Sequence, residues 1–293
     1  MLNDTQVQSD TTVIMNPARE SSIGKLLLHL GKITPTDAEN ILLAQQKQGL
    51  RFGDAAIKLG LITEADIRQV LALQFDYPYL QAGHGNYSNK LVAAYQPFTQ
   101  QVETLRALRS QLMMRWFSEG YKSIAIVSAS AEEGSSYLAA NLAIVFSQLG
   151  EKTLLVDANL RSPSQHTIFK LKENRGLSDI LAGRASLDIA TKVDAFVDLS
   201  VLGAGTLPPN PQELLSRATF TSFMNQAIAQ YDVVLVDSTP AANTADAQAT
   251  VARCGGALLV LKLNHTRITD LSAMRDQLSL TGAQVVGAVI NDF

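Results

Sequence analysis

The chain of 293 residues has one cysteine and four histidines. A lone thiol, Cys254, cannot form an internal disulfide, and the scattered histidines show none of the spacing of a metal site. The setting of Cys254, Ala-Arg-Cys-Gly-Gly-Ala-Leu-Leu-Val, suits a small buried hydrophobe at the start of a strand. An excess of one charge is also missing. A formal net charge of -3 gives no global attraction to a polyanion, so nucleic acid is not an expected partner. There is no apolar run of membrane-spanning length and no secretory signal, which points to the cytoplasm. Membrane association would then come through a partner. What remains, at 46% hydrophobic and 17% charged residues, is an ordinary globular composition with room for one large domain and a smaller one.

Residues 1–20 are polar and aperiodic, as expected of a flexible tail. An internal repeat follows: Gly24, Gly31, Thr34, Asp37 and Gln45 recur as Gly53, Gly60, Thr63, Asp66 and Gln74, each offset by 29 residues. Each unit predicts two helices. The first ends near Gly31 or Gly60, where glycine suits a left-handed helix stop. The second opens at Thr34-Pro-Thr-Asp37 or Thr63-Glu-Ala-Asp66, a capping-box pattern, with Pro35 in the first turn. Leu27, Leu28, Ile33, Ile41 and Leu42 in one unit and Ile57, Ile62, Val70 and Leu71 in the other form an apolar face. Two such units can bury that face against each other, giving a helical domain over 21–80. Residues 81–100, with Gly83, Gly85, Asn86 and Pro97, carry turn chemistry and predict a linker.

Over 101–293 apolar strands alternate with helical stretches, near 123–128, 153–157, 199–202, 232–237, 257–263 and 285–290. That alternation predicts an α/β domain with a mostly parallel sheet flanked by helices, and ligands at the carboxyl ends of its strands. Three polar clusters fall at those ends: Gly134-Ser135-Ser136, Asp157-Ala-Asn159 and Asp237-Ser-Thr239. The first follows the strand Ser123–Ser128 and precedes a helix expected over Tyr137–Leu149. This is the context of a phosphate-binding loop, G-x-x-x-x-G-K-[ST], where backbone N–H groups and a lysine hold phosphates and a hydroxyl reaches magnesium. Here Ala129 stands at the first glycine and Ser135 at the lysine, while Gly134 and Ser136 survive. Glu132 and Glu133 lie inside the loop, where they would repel a triphosphate. Asp157 and Asp237 end apolar strands, positions from which a carboxylate can hold magnesium directly or through water. Alone, either is more often a turn or helix cap.

Residues 98–293 resemble the tyrosine autokinases of bacterial polysaccharide export (BY-kinases), P-loop ATPases related to MinD and ParA. The matching segments are Glu103-Thr-Leu-Arg106-Ala-Leu-Arg109-Ser110, Asn141-Leu-Ala, Gly176-Leu-Ser-Asp-Ile-Leu-Ala-Gly183, Gly205-Thr-Leu-Pro-Pro-Asn-Pro-Gln-Glu-Leu-Leu215 and Gly287-Ala-Val-Ile-Asn291. The resemblance implies Mg-ATP or ADP as cofactor, with Glu133, Gly134, Ser135, Ser136 and Arg161 at the nucleotide. It implies Asp157, Asn159 and Asp237 as catalytic positions, and Ser136, Asp157 and Asp237 around magnesium. It also implies homo-oligomers through the Glu103/Arg106/Arg109 helix and a Wzz-like co-polymerase of the inner membrane as partner. The departures fall on the chemistry: Ser135 replaces the lysine, Glu132 a usual glycine, and Asn159 the second acid of an Asp-x-Asp pair. Asn159 is a far poorer proton acceptor than a carboxylate. The family's C-terminal tyrosine cluster is missing, Tyr231 being the last tyrosine. Arg161, or an arginine from a neighbouring subunit, could restore the lost charge. Two readings stay open: an autokinase with a divergent site, and a pseudokinase-like adaptor. A MinD-like partitioning ATPase fits the matched segments less well.

Residues 22–74 resemble the MshEN domain of secretion and pilus ATPases, which binds cyclic di-GMP through two 24-residue motifs separated by five residues; residues 22–45 and 51–74 fit that pattern. The resemblance places the ligand against Ser22, Gly24, Leu27, Leu28 and Gly31 in one motif and Arg51, Gly53, Ile57 and Gly60 in the other. Arg51 keeps the motif's arginine, suited to guanine or phosphate, whereas Ser22 offers a hydroxyl. The alternative is a helical protein-docking module.

Overall fold

The computed structural model describes residues 22–74, 80, 85–242 and 245–292. The expected tail lies outside these residues, as do 81–84 of the expected linker. The chain divides into two compact units, Met1–Pro78 and Tyr79–Phe293.

The first unit holds α1 (Ile23–His29), α2 (Pro35–Gln48), α3 (Phe52–Lys58) and α4 (Glu64–Gln74). The Asp37 amide donates to Thr34 Oγ1 at 3.2 Å while the Thr34 amide donates to Asp37 Oδ2 at 2.9 Å. Thr63 and Asp66 repeat both bonds at the same lengths. These reciprocal caps satisfy amides that a helix start leaves open. Gly31 and Gly60 leave the preceding helices at φ +65° and +70°, the left-handed region that favours glycine. The core is Leu26, Leu27, Ile33, Ile41, Ala55, Ala56, Ile62 and Val70. Leu42, expected on the buried face, is instead 49% exposed. A helix turns about 100° per residue, so burying Ile41 rotates its neighbour outward.

The second unit contains α5 (Val92–Tyr95), α6 (Gln100–Arg115), β1 (Ser123–Ser128), α7 (Ser135–Ser147), β2 (Thr153–Asp157), α8 (Gln165–Ile168), α9 (Leu177–Leu181), β3 (Thr191–Lys192) and β4 (Leu199–Leu202). It continues through α10 (Pro211–Ser216), α11 (Ala218–Gln230), β5 (Val233–Asp237), α12 (Asp246–Cys254), β6 (Gly256–Lys262), α13 (Ile268–Ser279) and β7 (Gln284–Asn291). The strands form one sheet in the order β3-β4-β2-β5-β1-β6-β7, parallel except for β3 on β4. Alternate residues face two cores. Ile124, Ile126, Leu155 and Leu235 join α5, α6 and α7 on one side. Ala125, Val127, Val156 and Val236 meet α9 and α11–α13 on the other. β1, β2 and β5 are buried along their whole length, which explains their continuous apolar runs.

The expected linker is corrected where it is described. Leu91, Ala93 and Ala94 are fully buried in the core with α7. Asn141 Oδ1 accepts the Ala93 amide at 2.9 Å, and its Nδ2 donates to the Lys90 and Tyr137 carbonyls at 3.0 Å. One buried side chain thus fastens this segment to α7. Turn residues on both sides hide that anchor in the sequence.

Candidate functional site

Parallel pairing of β2 with β5 sets Asp157 opposite Asp237, and β5 pairs with β1, which leads into the phosphate-type loop. The three polar clusters therefore meet at the carboxyl ends of three adjacent central strands, β2, β5 and β1. Both carboxylates are fully buried. Asp157 Oδ2 accepts the Ser164 and Gln165 amides at 2.9 Å, and Oδ1 the Asn159 amide at 3.1 Å. Asp157 thereby organises the 158–165 loop. Asn159 extends that role, its Oδ1 accepting the Ser162 amide at 3.0 Å. Asp237 Oδ2 accepts from Gln165 Nε2 at 2.8 Å, with the Ser136 side chain beside the same carboxylate. Burial pushes Asp157 above the usual carboxylate range despite its backbone donors. Burial does the same to Asp237, and the adjacent Asp157 charge adds to it.

Two crowded carboxylates suit a cation, and among the described residues Asp237 Oδ1 is buried without a hydrogen-bond partner. Ser136 and Asp237, with Asp157 behind them, therefore fit magnesium, a hard ion that prefers oxygen ligands. Bound there, magnesium would neutralise phosphate charge.

The loop itself is changed. Ser135, at the lysine position, is buried at the first turn of α7, its Oγ 3.4 Å from Ser128 Oγ. Its hydroxyl thus faces the end of β1. Glu132 is exposed and adopts φ +64°, a conformation that favours glycine. Glu133 corrects the expectation of a carboxylate facing phosphate: it is 1% exposed and turned inward. Its Oε2 accepts the Ser130 amide at 3.0 Å, its Oε1 the Thr266 hydroxyl at 2.6 Å, and its carbonyl the Asn291 amide group at 2.8 Å. Glu133 thus braces the loop from behind, against the ends of β6 and β7. Arg161, expected as a spare cation, is already engaged. Its Nε and a terminal nitrogen donate to the buried Asp246 at 2.6 and 3.3 Å.

Arg106 pairs with Glu103 on α6, and Arg109 donates to the Val145 carbonyl at 2.7 Å. In the helical unit Ser22 and Arg51 are exposed at equivalent positions before α1 and α3. Gly24 and Gly53 have a packing reason. A Cβ on Gly24 would lie 3.0 Å from the Phe52 ring, and one on Gly53 would lie 2.9 Å from Ile67. Leu27 is fully buried; Leu28 and Ile57 are partly exposed, while Gly31 and Gly60 are exposed at the helix exits.

No protein-family profile matches the chain. The tyrosine-protein kinase YwqD of Bacillus subtilis is 35% identical over 201 residues, covering 69% of this chain and 85% of YwqD. The chain belongs to the bacterial tyrosine kinase family. Among solved BY-kinases, the kinase domain of Escherichia coli Etk superposes with a TM-score of 0.68 at 28% identity, covering 74% of this chain and 86% of that domain. The MinD protein of Pyrococcus horikoshii, complexed with Mg-ADP, shares the fold alone, at TM-score 0.52 and 23% identity over 58% of this chain and 70% of that one. Within this BY-kinase frame, sequence reasoning missed Gln165, Asp246 and Thr266. Asn291 closed a matched segment, the one available signal of its importance.

Proposed function

We propose that the protein is a kinase-like regulator of exopolysaccharide chain length or export that has lost autokinase chemistry. Phosphoryl transfer depends on positioning and charge neutralisation. The observation that carries the reading is Ser135, whose hydroxyl faces Ser128 where a phosphate-clamping cation belongs. Arg161 does not replace that cation, because Asp246 holds it. Asn159 supports the same reading, since an amide cannot take the proton of a tyrosine hydroxyl as a carboxylate does. Ser136, Asp157 and Asp237 form a divalent-cation site that supports weak Mg-ATP or ADP binding without turnover. The protein acts in the cytoplasm, beside a Wzz-like co-polymerase of the inner membrane, as a homo-oligomer through the Glu103/Arg106/Arg109 helix.

For the helical unit we propose cyclic di-GMP as ligand, with Arg51 on a phosphate or guanine and Ser22 at the weaker half. The exposed, equivalent placement of Ser22 and Arg51 favours a two-fold ligand. Calorimetry with Mg-ADP tests the nucleotide reading. Weak binding that requires magnesium is expected, and tight binding comparable to an intact P-loop would overturn it.

A further inference from the structure

Gln165 is fully buried at the start of α8 and touches all three elements of the site. Its amide donates to Asp157 Oδ2 at 2.9 Å, and its Nε2 to the Ser136 carbonyl at 3.0 Å and Asp237 Oδ2 at 2.8 Å. With two acceptors facing the side-chain nitrogen, the orientation of the amide is fixed; a flip would set oxygen against oxygen. Oε1 is then left buried without a partner, as is Oδ1 of the Asp237 it touches. The hydroxyls of Ser238 and Thr239, next along the chain, are also buried and unpartnered.

With Asp237 ionised, as cation binding requires, two unmatched acceptors on adjoining side chains need donors. Water on a divalent cation offers only donors, because its lone pairs face the metal. A lone water could pair with these oxygens, but it brings no charge to offset Asp157 and Asp237. Magnesium usually keeps several of its waters when it binds to protein. We propose that Gln165 is a positioning residue for a hydrated divalent cation. Its Nε2 fixes the Asp237 carboxylate, and its Oε1 accepts from a metal-bound water. The inference rests on the cation site proposed above.

The test is titration of the full chain with Mn2+, reading free Mn2+ by electron paramagnetic resonance, with metal-free melting curves as the folding control. Gln165→Met keeps length but removes both polar atoms, and is expected to weaken Mn2+ binding about 10- to 100-fold. Gln165→Glu loses the donor that fixes Asp237 but keeps an acceptor and adds charge, and is expected to bind more tightly than the Met variant. A structural role alone would predict the reverse order, because a third buried carboxylate harms packing more than a thioether. Unchanged affinity in the Met variant, or a Glu variant as weak as Met, overturns the role of Gln165 while leaving the cation site standing. A wild type that binds no Mn2+ at millimolar concentration overturns both. If the Met variant does not fold, Gln165→Asn, which withdraws the amide by one methylene, carries the test with the same expected loss.

Discussion

The most direct repair of the loop is Ser135→Lys with Glu132→Gly. Ser135 begins α7, and among the described residues its side chain makes one weak hydrogen bond, 3.4 Å from Ser128 Oγ. Ser128 keeps its other bond, to the Ser130 carbonyl at 2.9 Å, so the lysine breaks little on leaving toward the phosphate position. One charge-assisted hydrogen bond is worth about 1.5–3 kcal/mol. Removing the exposed Glu132 carboxylate adds at most about 1 kcal/mol of relieved repulsion in solvent. Glycine at φ +64° also relaxes the free loop, which raises stability more than affinity. Allowing for the entropy of ordering the lysine, the net gain is on the order of 1–3 kcal/mol, or about 5- to 150-fold in nucleotide affinity. Calorimetry with Mg-ADP on the wild type, both single variants and the double variant resolves this. Most of the gain should come from Ser135→Lys. An unchanged affinity in a folded double variant would refute the reasoning, because the loop would then not cradle phosphate.

The raised Asp157 and Asp237 values set a pH dependence. A carboxyl raised on folding contributes stability in full below its unfolded value near 4 and loses it as pH rises through the folded value. Metal-free protein should therefore melt lower at pH 8 than at pH 6; magnesium should narrow the gap, and Asp237→Asn should shrink it. Asn141→Ala leaves the buried Ala93 amide unpaired and should cost about 1–3 kcal/mol, roughly 2–12 °C in melting temperature. Cyclic di-GMP should bind the full chain weakly, with Arg51→Ala abolishing binding and Ser22→Arg strengthening it. No binding to folded protein at high micromolar ligand leaves the docking-module reading in its place.

Much of the fold was legible because parallel strands here are apolar runs, and six of the seven strands, the part-exposed edge strand β7 included, were found that way. β3 escaped because it is a two-residue polar edge pairing, Thr191–Lys192. The cluster positions at strand ends were also legible, since alternation of strand and helix brings those ends together. Side-chain direction was not. Glu132 and Glu133 are adjacent and chemically alike, yet one is exposed and the other is bonded to Thr266, 133 residues away. The Arg161–Asp246 pair spans 85 residues, a separation that no local pattern reveals. The linker misled because loop chemistry at Gly85 and Pro97 flanks a short buried helix.

The central claim is that the altered site does not transfer phosphate to tyrosine. Incubation of the purified full chain with Mg-ATP, followed by detection of phosphotyrosine and released phosphate, tests it most directly. The account predicts neither product above a no-enzyme control. Magnesium-dependent phosphotyrosine on the wild type that disappears in Asp157→Ala would contradict it.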